Sequence, residues 1–185
     1  MAAANPFMSD DVQVVGSKLQ DYFTIFGLFP DFILDLADLE KRYFIAQRTF
    51  HPDRMAGKSA NARRMAISQS MLVNAAYETL KSPLRRASYL LSLHGIAENS
   101  KPSHALLMEM MELREALSEA QNASELSELE SQCLKNYEEA LVNIAEAFGR
   151  KDLALAAELT TRLSYISKIL DEIRAKKRIF NEKVV

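Results

Sequence analysis

Cysteine is the scarcest reactive side chain here. Of 185 residues only one is cysteine, Cys133, so no intramolecular disulfide can form and no cysteine-based metal site can be built. That usage fits a reducing compartment. Glycine and proline, five of each, are too few for a many-turned all-β fold, and tryptophan is absent. No stretch approaches the roughly 18 apolar residues a membrane span requires, and no charged, apolar and small-residue series marks a secretory signal. Residues 1–20 lack arginine and carry Asp10 and Asp11, which is wrong for a mitochondrial presequence, and they read as a loose leader. The three histidines, His51, His94 and His104, show no metal-ligand spacing. There is no phosphate-cradling glycine loop and no nucleophile elbow. The chain is therefore expected not to be an enzyme, and to need neither metal nor cofactor. A net charge of −2 and a pI near 6.0 argue against a dedicated nucleic-acid binder.

What is abundant is leucine, alanine, glutamate, methionine, arginine and lysine, the good helix formers, so an all-α fold is expected. The charge is unevenly spread. Residues 21–101 carry 11 Lys/Arg against 8 Asp/Glu, whereas 102–185 carry 11 against 15, which suggests two partners for two surfaces of opposite sign. A short aromatic stretch, Asp21 to Leu28, opens the ordered pattern and allows one or two helical turns. From Asp35, a plausible N-cap, Leu36, Leu39, Tyr43, Ala46 and Phe50 recur within about an 80° stripe, with Lys41, Ile45 and Arg48 opposite. Proline disfavours helix at the residue before it, so this helix must stop at His51-Pro52. A loop with Gly57 follows, then a helix over about 59–81 with Val73, Ala76, Tyr77 and Leu80 inward. Ser82-Pro83 opens a short helix that Gly95 ends. The stretch 97–103 is the best linker in the chain. Beyond it lie three longer helical patterns separated by Asn122, Ser124, Gly149 and Asp152. Leu126, Leu129, Cys133, Tyr137, Ile144 and Phe148 form the stripe of the second, and Leu155, Leu159, Leu163, Ile166, Leu170 and Ile173 that of the third. Short connections make the three antiparallel neighbours, hence a three-helix bundle. The expected organisation is a leader over 1–20, one unit over 21–96, a linker over 97–103 and a three-helix unit over 104–181.

His51-Pro52-Asp53 stands where a basic-faced helix meets a loop. Proline fixes φ and lacks an N–H, so it holds imidazole and carboxylate in a defined turn. Three residues are a weak signal alone. Their context is Asp21-Tyr22-Phe23, Phe26-Gly27-Leu28, Tyr43 eight residues before His51, and Asn74-Ala75-Ala76-Tyr77 with Leu80 in the next helix. With these pieces in order over about 75 residues the segment resembles a J-domain. The resemblance implies a helical hairpin with short flanking helices, whose His-Pro-Asp loop and preceding helix contact a 70-kDa heat-shock chaperone and stimulate its ATPase. Carried over by position, the loop is His51, Pro52 and Asp53, and the contacting helix face and its continuation are Arg42, Ile45, Arg48 and Arg54. This sequence departs from the usual pattern in holding Glu40, Phe44 and Ile45 where basic residues are common, and Arg54 where lysine is common. It also lacks a Gly/Phe-rich segment and a zinc-type Cys repeat.

In the helix after His104, Leu106, Met110, Leu113 and Leu117 fall within about 60° and supply a core face. Leu107, Met108 and Met111 lie on the other side, among Glu112, Glu115 and Glu119. Either these apolar residues pack against the first unit or they form a binding surface with an acidic rim. The surface reading is preferred because Glu115 occupies the centre of the sector and carboxylates are seldom buried unpaired. Ser88-Tyr89-Leu90-Leu91-Ser92-Leu93-His94-Gly95, Leu107-Met108-Glu109 and Glu112-Leu113-Arg114-Glu115, with the helices that follow, are similar to the HscB family of iron-sulfur assembly co-chaperones. The likeness runs over about 21–181. It implies a C-terminal three-helix domain that binds an IscU-like scaffold and delivers it to an HscA-like 70-kDa chaperone. The matching scaffold-binding residues are Leu107, Met108, Met111, Glu112, Glu115, Glu119 and, aligned mainly by hydrophobic spacing, Tyr165. Relatives with N-terminal metal-binding cysteine pairs differ from this chain, so a bacterial-type, cytoplasmic protein is expected, without nucleic-acid or membrane partners. The alternative is a J-domain co-chaperone for another or broader set of clients. Arg85-Arg86 and Arg63-Arg64 read as surface charge. Arg174, Lys176, Lys177 and Arg178 read as a solvated face salt-bridged by Asp171, Glu172 and Glu182. Cys133, on a core stripe, reads as a small buried hydrophobe.

Overall fold

Among the described residues, seven polar residues open seven helices. In the computed structural model, which describes residues 21–50, 59–96 and 102–182, every element is an α-helix. They are α1 (Tyr22–Ile25), α2 (Leu36–Phe50), α3 (Ala60–Lys81), α4 (Pro83–Leu93), α5 (His104–Glu119), α6 (Ala123–Gly149) and α7 (Leu153–Glu182). Each begins on an Asp, Ser or Asn whose side-chain oxygen accepts from a backbone N–H of the first turn. These are Asp21, Asp35, Ser59, Ser82, Ser103, Asn122 and Asp152. At α6 the cap is reciprocal, since Glu125 accepts in return from the Gln121 N–H and the Asn122 amide. Stops are equally local. Gly95 takes φ +73 after α4, and the Ile96 N–H reaches back to the Leu91 carbonyl. After α6 the left-handed position is Lys151 at φ 58, whereas Gly149 is simply the last helical residue.

In the first half, α2 and α3 form an antiparallel hairpin closed by α1 and α4 over Phe23, Phe26, Leu39, Val73 and Leu80. Tyr43 and Tyr77 stack at 4.0 Å across the hairpin. On its edge the Gln47 amide and the Tyr43 hydroxyl both donate to Asn74 Oδ1. In the second half α5, α6 and α7 surround Leu106, Met110, Leu126, Cys133, Ile166 and Ile173. Glu109 meets Arg162, and the Leu117 carbonyl meets Lys176, so α5 and α7 run parallel with α6 opposed to both.

The two halves share a core. Ala140, Ile144 and Leu163 belong to the same buried cluster as Phe23 and Leu80, and Leu91 of α4 packs with Ala147, Ala156 and Ala157. Phe32 stacks on Phe148 at 5.7 Å, and the Arg86 guanidinium lies over the Phe32 ring, 5.2 Å from its centroid.

Several expectations need correction. Arg86 is not surface charge: it is 6% exposed and donates to the Leu80 carbonyl at 2.6 Å, one of the carbonyls that the end of α3 leaves without a helical partner. Leu155 is turned to solvent, because the first turns of α7 bury Ala156, Ala157 and Thr160 instead, small residues that allow close approach to α4. Leu36 is likewise exposed at the start of α2, beside an open recess with Tyr77 and Lys81. The basic cluster of α7 pairs as expected only in part, through Arg174 and Asp171 at 3.8 Å. Arg174 and Lys177 converge on Glu130 of α6, and Lys176 donates to the Leu117 and Ser118 carbonyls, so these cations tie helices together.

Candidate functional site

Two surfaces carry the residues singled out in the sequence. The first is the outer side of α2. His51, Pro52, Asp53 and Arg54 lie outside the described residues. Upstream of them Ile45 and Arg48 are exposed, one helical turn apart, and Phe44 is exposed beside Ile45. Arg42 behaves differently. Its Nε donates to Asp38 at 2.7 Å, and Nη1 donates to the Phe26 carbonyl at 2.9 Å and the Gly27 carbonyl at 3.3 Å. Gly27 sits at φ +62 with the Arg42 guanidinium 3.4 Å from where a Cβ would stand, so the turn after α1 and the α2 arginine fit each other closely. Arg42 thus holds the entry turn against α2, which leaves Ile45 and Arg48 as the outward members of the set.

The second surface is α5. Its ridge of Leu106, Met110, Leu113 and Leu117 is buried, and this ridge satisfies the bundle. On the far side Leu107, Met108 and Met111 are 43%, 45% and 64% exposed, so they do not pack against the first half. Glu112, Glu115 and Glu119 stand exposed around them, and none has an ion-pair partner among the described residues. Met is flexible and polarizable, so a Met-rich patch with an acidic rim suits an adaptable contact with a basic, partly apolar partner. Tyr165 is half-buried on α7, packed against the bundle core with the Lys168 ammonium 5.4 Å from its ring centroid.

Sequence pattern did not single out Arg162. It donates to Glu109 at 2.6 Å and fixes α5 against α7 one turn before Tyr165. Glu109 flanks the buried ridge of α5 rather than the acidic rim, and that offset is the signal that could have assigned it to a structural pair. Cys133 is fully buried, and burial pushes its thiol pKa up, with Glu109 adding to the shift, so thiolate chemistry is suppressed there. Among the described residues no group of His, Cys, Asp and Glu could hold a metal ion, and no helix is long and apolar enough to cross a membrane.

The architecture recurs in known proteins. Residues 102–174 match the family model described as the HSCB C-terminal oligomerisation domain. The chain is 36% identical over 162 residues to the iron-sulfur cluster co-chaperone protein HscB of Homo sapiens, covering 85% of this chain and 69% of that protein. It is 34% identical over 170 residues to the co-chaperone protein HscB of Proteus mirabilis, covering 87% and 98%. The chain belongs to the HscB family of iron-sulfur cluster co-chaperones. Solved HscB structures share the fold. The crystal structure of human HscB superposes with a TM-score of 0.84 at 32% identity over 95% of this chain and 92% of that one. HscB from Vibrio cholerae does so with 0.80 at 34% identity over 86% and 99%. These HscB relatives are co-chaperones and not themselves enzymes.

Proposed function

We propose that this HscB-family chain stimulates ATP hydrolysis by an HscA-like 70-kDa chaperone and delivers an IscU-like scaffold to it for iron-sulfur cluster transfer. The loop His51-Pro52-Asp53, with Ile45, Arg48 and Arg54, contacts the chaperone, and Arg42 serves that face by holding the turn behind it. The scaffold docks on Leu107, Met108 and Met111, oriented by Glu112, Glu115 and Glu119, with Tyr165 at the margin. The unit over 21–96 carries the first task and the unit over 104–181 the second, joined through 97–103. The proposed setting is the bacterial cytoplasm.

One observation carries this reading: α5 buries a complete ridge and still presents a second apolar face, which the fold itself does not use. Joining two binding surfaces in one chain raises the local concentration of client at the chaperone without adding a contact. The test is single-turnover ATP hydrolysis by the chaperone with this protein and the scaffold added separately and together. Synergy is expected with the wild type and lost in His51→Gln, with scaffold binding retained. Replacing Leu107, Met108 and Met111 by Ala should do the converse and cost about 2 kcal/mol or more of scaffold affinity. Normal scaffold binding by that folded triple variant would exclude the α5 face.

A further inference from the structure

The second half of α2 is lightly anchored by apolar packing. From Tyr43 to Phe50 the only buried side chain is Ala46, with Tyr43, Gln47 and Phe50 half-buried, and a methyl group is a shallow knob against rotation of a helix about its axis. Polar groups bridge α2 to α3 there instead. The Gln47 amide donates to the Tyr43 hydroxyl at 2.7 Å and to Asn74 Oδ1 at 2.9 Å, and the Tyr43 hydroxyl donates to that same oxygen at 3.2 Å, closing a ring of three groups. Asn74 is exposed, so water can replace these bonds and their net gift to stability is small. Their directionality is what the packing lacks. We propose that Gln47 and Asn74 are positioning residues for chaperone stimulation, setting the rotation at which α2 presents Ile45 and Arg48. This inference rests on the chaperone contact proposed above.

Helix geometry links the ring to the outward pair. At 100° per residue Gln47 stands about 200° from Ile45 and about 100° from Arg48, so a grip on the hairpin side decides where those two side chains point. Gln47 follows Tyr43 by one turn, and Tyr43 is itself held by its stack on Tyr77 at 4.0 Å. Earlier in α2, Arg42 grips the turn after α1 through the Phe26 and Gly27 carbonyls. The two grips lie about 8 Å apart along the axis and bear on different elements, so α2 is held at two levels. Without the ring the outward pair samples several directions, and binding must then order it. That cost weakens attachment to the chaperone and leaves the stimulation reached at saturation unchanged.

Single-turnover ATP hydrolysis by the HscA-like chaperone, titrated with the full chain, reads both quantities. Gln47→Met and Asn74→Leu keep side-chain size and remove the donor or the acceptor. Each should raise the concentration for half-maximal stimulation about three- to tenfold, the range for ordering one side chain on binding, with the maximum unchanged. Asn74→Asp keeps the acceptor, and the carboxylate of Gln47→Glu can accept from the Asn74 amide, so each of these alone should stay near the wild type. The double variant Q47E/N74D sets two carboxylates against each other and should lose as much as Asn74→Leu. Added charge acting by itself would instead accumulate additively through the two single variants. Circular dichroism matching the wild type establishes that each variant is folded, and scaffold affinity should be unchanged in all of them. The proposal is overturned by a wild-type half-saturation in Asn74→Leu, by an additive Q47E/N74D, or by a parallel loss of scaffold binding, which would make the ring a support of the whole fold. In each of these cases stimulation by the wild type, abolished in His51→Gln, leaves the chaperone contact itself standing. A wild type that does not stimulate overturns that contact and this inference with it.

Discussion

Arg86 shows how one side chain can serve three elements. Its guanidinium covers Phe32 and caps the Leu80 carbonyl at the end of α3, while burial lowers its pKa and Nε is left without a partner. Truncation to alanine would leave the carbonyl unsatisfied and the ring uncovered, so Arg86→Ala should cost about 2 to 3 kcal/mol in urea unfolding. Arg86→Lys should recover only part of this, because an ammonium cannot both lie flat on the ring and reach the carbonyl. Tyr89 is a second such residue. It stacks on Tyr22 at 4.5 Å, donates to Asp21 at 2.8 Å and accepts from the Tyr22 N–H at 2.9 Å. Burial, and then the bond to Asp21, push its pKa up to about 12, against an opposing effect of the Tyr22 N–H. The neutral phenol is the form the fold prefers, so its contribution is complete below pH 10 and disappears as the pH rises through 12. Denaturation midpoints should fall more steeply between those values for the wild type than for Tyr89→Phe.

At the scale of the element, caps and ridges explain where helices start and which side they bury, and the turn between α6 and α7 is the exception. There the Lys151 N–H bonds to the Phe148 carbonyl and the Asp152 N–H to the Ala147 carbonyl, the pair that defines a Schellman stop, with lysine in the left-handed seat. A side chain costs about 1 kcal/mol or more in that conformation. Lys151→Gly should therefore stabilise the protein by roughly 0.5 to 1 kcal/mol in thermal unfolding, after glycine's greater freedom in the unfolded chain is counted. No effect or a loss would mean that the lysine side chain has a contact outweighing its strained backbone. On α5, by contrast, the helix obeys its pattern completely, and the division between a buried and an exposed apolar side is what makes it a binding element.

The whole molecule is held by a core that crosses the division between its halves. Ile144 of α6 is fully buried in the cluster that also holds Phe23, Leu39 and Leu80. Ile144→Ala should cost about 2 to 5 kcal/mol and lower the unfolding temperature of both halves together. Calorimetry should give one transition with equal calorimetric and van't Hoff enthalpies, and two separable transitions would mean that the shared cluster does not couple them. Sequence alone determined the helices, their main caps, the inward ridges of α3 and α5, and the presence of a second apolar side on α5 at Leu107, Met108 and Met111. These follow from periodicity and from hydrogen-bonding groups only a few residues apart. Periodicity reports only that one side of a helix is apolar, not which neighbour covers it. Hence the inward turn of Arg86, the rotation of Leu155 to solvent, the engagement of Arg42 with the α1 turn, and the convergence of Arg174 and Lys177 on Glu130 were decided by tertiary structure. Apart from the Leu80 carbonyl that Arg86 reaches six residues back, each depends on a partner between 15 and about 65 residues away in the chain, brought close by packing that no local pattern encodes.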